Sequence, residues 1–145
     1  MAQPSQLPAL IINGDALTPA LASADGAPMV VRGIDDLTVV IDGEHVRIVE
    51  NVQGMDLADF GLVHVAAYPR PTASVINAIA NYLDHHGVPT VNMRGIDAPA
   101  KLVQYVQLAH AGIPVPATVY SAAETLAQSY ALLADRFDCP SSSRP

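Results

Sequence analysis

The residues best suited to bind a ligand lie together in the loop Tyr68-Pro69-Arg70-Pro71-Thr72. This loop follows an apolar run and precedes a stretch with helical periodicity. In open α/β sheets, ligands bind outside the carboxyl ends of the strands. The free N–H groups at the start of a helix favour an anion, and an arginine adds a bidentate contact. Tyr68, Arg70 and Thr72 are therefore the candidate substrate-binding residues.

The same loop also fits a purely structural interpretation. In that interpretation it is a rigid proline turn in which Thr72 is the N-cap of the helix and Arg70 lies in solvent. No glycine-rich phosphate motif accompanies the loop, which favours the structural alternative.

The five histidines are poor candidates for catalysis or for metal binding. His85 and His86 close a predicted helix, adjacent residues do not share a helix face, and helix ends favour positive side chains. We therefore predict that they cap the helix. His64 lies inside an apolar strand, which favours a hydrogen-bonded core histidine over a buried base. His45 and His110 have no carboxylate or cysteine at ligand spacing, so no role is assigned to them.

The remaining chemical groups also favour structural roles. Asp35, Asp36, Asp56 and Asp59 stand in polar turns, and we predict that they are turn formers or helix caps. Paired carboxylates do acid–base work only where the environment separates their pKa values. Cys139 is the sole cysteine, which excludes an intrachain disulfide and a cysteine-based zinc site. We predict no catalytic residue and no metal ligand.

The composition excludes several classes of protein. The 145 residues fit one ordinary domain, and with 50% hydrophobic and 14% charged residues the chain is expected to fold. The net charge of −7, with Lys101 the sole lysine, argues against nucleic acid and against an anionic membrane as partners. The chain has no signal-peptide pattern and no apolar run of about 18 residues. We expect a soluble, cytoplasmic protein.

Local patterns predict strands in the first part of the chain. The apolar residues 7–12 predict a short buried strand, and residues 16–28 have the composition of a loop. β-Branched residues flank Asp42-Gly43 and predict a hairpin of residues 37–41 and 45–49. The Asp-Gly pair indicates a type I′ turn, because both central residues of that turn need positive φ angles.

The second part alternates strands with helices. We predict a strand over 61–67 that is buried on both faces, a helix over 72–86 that ends at Gly87, and a strand over 89–93. A strand–helix–strand unit implies a parallel pair, so the fold class is α/β. Next come a helix that ends at Gly112, a brief strand at Val119-Tyr120, and a helix over 122–137 that opens with a capping box. The helix before Gly112 has one apolar face, formed by Leu102, Val103, Val106 and Ala109.

Three segments carry a resemblance to a known family. They are Val91-Asn92, Lys101-Leu102-Val103-Gln104, and the run from Leu108 to Thr118, which contains Ala-Gly-Ile-Pro-Val-Pro-Ala-Thr. Together they resemble the linker and opening of ATP-grasp ligases, which include D-alanine–D-alanine ligase and glutathione synthetase. The resemblance covers somewhat over half of the chain.

The resemblance implies a division of the chain. Residues 1–97 would form a Rossmann-like pre-ATP-grasp domain that includes the β-hairpin, and residues 98–140 would form the first helices of an incomplete ATP-grasp subdomain. The preceding domain of the family helps to bind the acceptor substrate. The resemblance therefore implies that Tyr68, Arg70 and Thr72 face a bound acceptor.

The chain departs from the family after Pro140. The family continues with a strand whose lysine binds ATP, then a glycine-rich loop and magnesium ligands. Here residues 141–145 read Ser-Ser-Ser-Arg-Pro. A coding sequence for Leu-Val-Val-Lys-Ala gives these five residues when it is read one nucleotide later, so we interpret 141–145 as a frameshifted tail. An ordinary polar tail is the alternative.

These observations lead to one functional expectation and one alternative. We expect the acceptor-side part of an ATP-grasp carboxylate–amine ligase, cut off before its nucleotide site and inactive by itself. ATP and magnesium would be the cofactors of a full-length member, and this chain would use none. We also expect self-association or a protein partner through the helix over 122–137. The alternative is a non-enzymatic interaction or structural protein that reuses this domain.

Overall fold

A computed structural model describes residues 7–13, 28–66, 73–93 and 100–122. Within these ranges the chain forms a mixed α/β fold of two sheets and two helices, with short 3-10 turns at Ile34–Asp36 and Leu57–Asp59. This confirms the predicted class at the coarse level. In chain order the elements are β1 (Ala9–Ile12), β2 (Met29–Arg32), β3 (Leu37–Gly43), β4 (His45–Glu50), β5 (Leu62–Val65), α1 (Ala73–His85), β6 (Thr90–Val91), α2 (Lys101–His110) and β7 (Val115–Tyr120).

The first sheet is parallel, with the strand order β2-β1-β5-β6. Ile11 of β1 stands opposite Val31 of β2 and His64 of β5, and His64 in turn stands opposite Val91 of β6. The predicted strand–helix–strand unit is confirmed, because β5 and β6 are parallel neighbours joined through α1. Strand β2 has no counterpart among the sequence predictions.

The β3–β4 hairpin is confirmed, but its turn differs from the predicted one. Asp42 pairs with His45, so the two loop residues are Gly43 and Glu44. Gly43 has a φ of +61°, whereas Glu44 is not among the residues with positive φ. A positive φ at the first loop residue alone belongs to a type II′ turn, not to type I′. The I′ prediction is wrong because the aspartate belongs to the strand and not to the loop.

Strand β7 completes an antiparallel sheet with the order β4-β3-β7. The sequence predicted only a brief strand at Val119-Tyr120, whereas β7 already begins at Val115. Ile41 pairs with Thr118 and Gly43 pairs with Val115. Between these two pairs, β3 advances by two residues and β7 by three. The extra residue makes a bulge, and Pro116 lies within it. Proline is tolerated at bulges and on outer strands because no ladder hydrogen bond is lost there.

Both helices end in the same glycine-dependent motif. Gly87 follows α1 with a φ of +67°, and Gly112 follows α2 with a φ of +73°. In each case the amide one residue after the glycine donates to the carbonyl five residues back, from Val88 to Leu83 and from Ile113 to Leu108. This is the Schellman arrangement. Both predicted helix stops are confirmed.

The two sheets and the two helices share one apolar core. On α1 the apolar side chains at helical spacing are buried, except that Ala80 is half-buried; they are Val75, Ile76, Ile79, Ala80 and Leu83. The predicted face of α2 is buried except for Leu102. Each fully buried aliphatic side chain contributes roughly 1.5–3 kcal/mol.

The predicted domain boundary between residues 97 and 98 falls outside the described residues. Among the helices that the structure describes, none combines the length and the apolar character needed to span a membrane.

Candidate functional site

The carboxyl edge of the parallel sheet is where the topology places a ligand site. From β1 the chain moves outward to β2 on one side, and from β5 it moves outward to β6 on the other side. The connections therefore leave the adjacent strands β1 and β5 in opposite directions. Such a reversal opens a crevice beyond the carboxyl ends of the two strands, and ligands of open α/β sheets bind there.

Two asparagines hold the strand ends at this edge. Asn13 directly follows β1 and Asn92 directly follows β6, with φ angles of +57° and +59°. Oδ1 of Asn13 accepts a hydrogen bond of 2.9 Å from the amide of Ile34, just beyond β2. Nδ2 of Asn92 donates to the carbonyl of Val65 at 2.7 Å. Each asparagine side chain thus links the end of its strand to a neighbouring segment, which fixes the relative positions of the strand ends.

The predicted ligand-binding residues Tyr68, Arg70 and Thr72 lie outside the described residues. The structure does describe both ends of their loop. The amide of Ala66, directly after β5, donates to the carbonyl of Ile12 at 2.9 Å, which fixes the start of the loop beside β1. The loop ends where α1 begins at Ala73, and the first turn of α1 contains no acidic residue. Residues 67–72 therefore connect the carboxyl end of β5 to the first residue of α1.

A buried ion pair closes the β2 side of the same edge. Glu50 is the last residue of β4 and is fully buried. It accepts a hydrogen bond of 2.6 Å from Nε of Arg32, the last residue of β2. Its carboxylate also accepts from the backbone amides of Val52, Gln53 and Met55, at 2.8–3.2 Å. Burial raises the pKa of Glu50, but the bond from Arg32 and the backbone bonds outweigh burial and hold this pKa below its ordinary value. Arg32 is committed to this carboxylate and to the carbonyl of Val31.

Sequence reasoning missed the Arg32–Glu50 pair. The two residues are 18 positions apart on strands of different sheets, and no local pattern marks such a pair. The sequence does mark Glu50 itself, because Glu50 continues the alternation of Val46 and Ile48, the two inward-facing residues of β4. A carboxylate at an inward position of a strand requires a partner.

Three histidines meet where the two helices end, and we call His85, His86 and His110 the histidine cluster. The rings of His85 and His110 stack with centroids 3.9 Å apart and planes 7° apart. His86 stands edge-on to His85 at 5.2 Å and lies 4.4 Å from the ring of Tyr82. Burial, followed by the nearby His85 and His86, lowers the pKa of His110 from 6.5 to about 4. No role was predicted for His110, because its partners are distant in sequence.

The other predicted residues have structural surroundings. Asp36 accepts from the amide of Gly33 and Asp56 from that of Ala58, so the prediction of capping is confirmed for these two. His64 is half-buried in β5, less enclosed than the core position that was predicted. Cys139 lies outside the described residues. Within the described part of the chain, no group of three or more His, Cys, Asp or Glu side chains is arranged to hold a metal ion.

Comparison with known proteins gives no relative. No protein-family model matches the chain, and no curated protein and no solved structure matches it either. The likeness to ATP-grasp ligases therefore rests on the sequence motifs alone.

Proposed function

We propose that this chain binds a small anionic acceptor at the carboxyl edge of its parallel sheet, as the acceptor-side part of an ATP-grasp-type carboxylate–amine ligase. The reversal of strand order between β1 and β5 carries the first half of this proposal. The motifs from Val91 to Thr118 carry the second half. A Rossmann-like assignment of the parallel sheet belongs to the same proposal, supported by its strand order.

The charges at this edge favour an anion. The start of α1 presents amide hydrogens with no acidic side chain in its first turn, and helix N-termini of this kind attract negative charge. The charge of Arg32 is already paired with Glu50. The proposal therefore assigns the cation of the site to Arg70, in the loop between β5 and α1. In a chain with a net charge of −7, an arginine in this loop would give the site its preference for an anion.

Each residue of the loop has a distinct proposed role. Arg70 binds a carboxylate of the acceptor with a bidentate pair of hydrogen bonds. Thr72, directly before α1, aligns the first free amides of the helix with the same anion. Tyr68 covers the apolar part of the acceptor and donates from its hydroxyl. The asparagines at positions 13 and 92 keep the strand ends fixed and are positioning residues.

ATP and magnesium belong to the complete ligases of the family. They would supply the activation of a carboxylate. The described residues do not fit a magnesium site, because their acidic side chains form no group that could hold a metal ion. The role proposed for this chain is therefore binding and orientation of the acceptor, with no phosphoryl-transfer step assigned to its residues.

Isothermal titration calorimetry with free amino acids and tripeptides tests this proposal. We expect one of these carboxylates to bind, and Arg70→Gln to weaken binding by about tenfold to a hundredfold, because a hydrogen bond to a charged group is worth about 1.5–3 kcal/mol. The matched control is Arg47→Gln, which removes an exposed arginine of β4 that pairs with Asp56 at 3.3 Å. The control variant should bind as the wild type does.

The same experiment separates the alternative function. If no carboxylate binds, or if Arg70→Gln and Arg47→Gln bind equally well, the acceptor proposal fails. Mg-ATP is the second titrant, and we expect no complex in the micromolar range with the 145-residue chain. Sedimentation velocity then tests the interaction-protein alternative, which predicts self-association through the helix expected over 122–137.

A further inference from the structure

The histidine cluster joins the last turns of α1 and α2. His85 is the last residue of α1 and His110 is the last residue of α2. Their rings lie face to face, 3.9 Å apart and nearly parallel, and His86 is edge-on to both. The contact therefore connects the ends of two helices that also pack through apolar side chains and share a hydrogen bond from Gln107 to Asn81 at 3.1 Å.

This arrangement suits neutral imidazoles and penalises charged ones. Two imidazolium rings stacked at 3.9 Å would place like charges face to face, in a setting that is partly shielded from water. Nε2 of His110 is buried and has no hydrogen-bond partner among the residues that the structure describes. A proton added to this nitrogen would find no acceptor to stabilise it.

The other charged and titratable groups around the cluster offer little compensation. Tyr82 of α1 donates its hydroxyl to Asp56 at 2.6 Å. Asp56 also accepts from Arg47 of β4 and caps the turn after it, so its charge is already committed. On α1, Asp84 is exposed beside His85, and on α2 the remaining ionisable residues are Lys101, at the opposite end, and Tyr105. The helix C-termini attract positive charge, but this attraction acts on each ring alone and does not remove the repulsion between rings.

We propose that the histidine cluster is a pH-sensitive latch that holds α2 against α1 when its rings are neutral and releases α2 when they are protonated. In the folded chain the pKa of His110 is lowered to about 4, whereas an unfolded histidine titrates near 6.5. Between these two values the open form binds more protons than the closed form. The contribution of His110 to the stability of the closed form is therefore complete above about pH 6.5, and it is lost as the pH falls towards 4.

Two measurements on the whole chain test the latch. In a proton NMR titration of the histidine rings, we expect His110 to titrate well below the ordinary value of about 6.5. In hydrogen exchange, the protection factors of α2 amides should fall between pH 6.5 and pH 5, by up to about tenfold per pH unit for one linked proton. Protection in the β3–β4 hairpin should change less. A His110 that titrates at or above 6.5, or α2 protection that is independent of pH, would overturn the proposal.

The variant that isolates the stacking is His85→Gln. His85 is exposed, so the substitution preserves the fold while it removes the stacked ring. We expect the pKa of His110 to rise towards its ordinary value and the pH dependence of α2 protection to shrink. The matched control is His45→Gln, which replaces an exposed histidine of β4 that lies outside the cluster. Equal pH dependence in the two variants would refute a role for the stacked pair.

Discussion

Glu50 and His110 are two shielded titratable residues that this fold treats in opposite ways. Glu50 receives one bond from Arg32 and three from backbone amides, so its charged form is built into the native state. His110 is partly buried against two other histidines, and in the described part of the chain its Nε2 has no hydrogen-bond partner. The pKa is lowered in both residues. For the carboxylate the lower pKa favours the charge, and for the imidazole it favours the loss of the charge.

The difference shows how neighbours decide the consequence of burial. The surroundings of Glu50 are hydrogen-bond donors, and they stabilise its charged form. The surroundings of His110 are imidazole rings that can carry the same positive charge, and this charge would repel a proton on His110. The site of Glu50 is therefore rigid at neutral pH, whereas the contact of His110 responds to acid. The two residues also titrate over different ranges, because Glu50 loses its contribution only below its ordinary pKa of 4.5.

The largest expected effect is the removal of the charge of Glu50. Glu50→Gln leaves the guanidinium of Arg32, whose side chain is only 15% exposed, without its counter-charge. Breaking a buried pair from one side costs about 3–5 kcal/mol. We expect a loss of this size in the free energy of unfolding, measured by urea denaturation at pH 7.

The control for this variant is Glu44→Gln in the exposed hairpin loop. It removes the same charge from a surface position and should change the free energy of unfolding by less than about 0.5 kcal/mol. If Glu50→Gln were as mild as this control, the carboxylate would not be the built-in charge described above.

A smaller effect is expected at His110. His110→Phe keeps an aromatic ring against His85 and removes the nitrogen that has no partner. Replacing an unsatisfied polar group by an apolar group of similar shape is close to neutral. At pH 7 we expect the free energy of unfolding to stay within about 1 kcal/mol of the wild type, again by urea denaturation.

The same variant should lose part of the acid sensitivity of the wild type. Stability that falls between pH 6.5 and pH 4 in the wild type should fall less in His110→Phe, because one proton no longer binds to the unfolded chain alone. A loss of several kcal/mol at neutral pH would show that His110 makes a favourable polar contact, and the contrast with Glu50 would be broken.

Local patterns predicted the elements that depend on local physics. The β-branched runs around Gly43 gave the hairpin, and the apolar stripes with Gly87 and Gly112 gave both helices and their ends. The turn type was wrong because one residue of register decides which positions need positive φ. Strand β7 was predicted too short because the proline at 116 argues against a strand unless a bulge accommodates it, and a bulge depends on the partner strand.

The sites were harder to predict because they depend on contacts between distant segments. Arg32 and Glu50 come together only when the two sheets pack, and His85 meets His110 only when the two helices do. Strand β2 was not predicted because its four residues directly follow residues 16–28, which have the composition of a loop. The candidate loop at Arg70 could be proposed from the sequence because its position after a buried strand and before a helix is itself a local pattern, and its role stays a prediction.

Chemical-shift mapping shows directly whether the carboxyl edge of the parallel sheet binds an anionic acceptor. The ¹⁵N-labelled chain is titrated with the amino acids and tripeptides used in calorimetry. We expect the largest shifts at the carboxyl edge of the parallel sheet, at the amides of Asn13, Ala66, Ser74 and Asn92. Glu44 and Val52, both exposed and outside the parallel sheet, should keep their shifts. Shifts concentrated at these two residues, or no shift with any carboxylate, would contradict the claim that this edge binds an anionic acceptor.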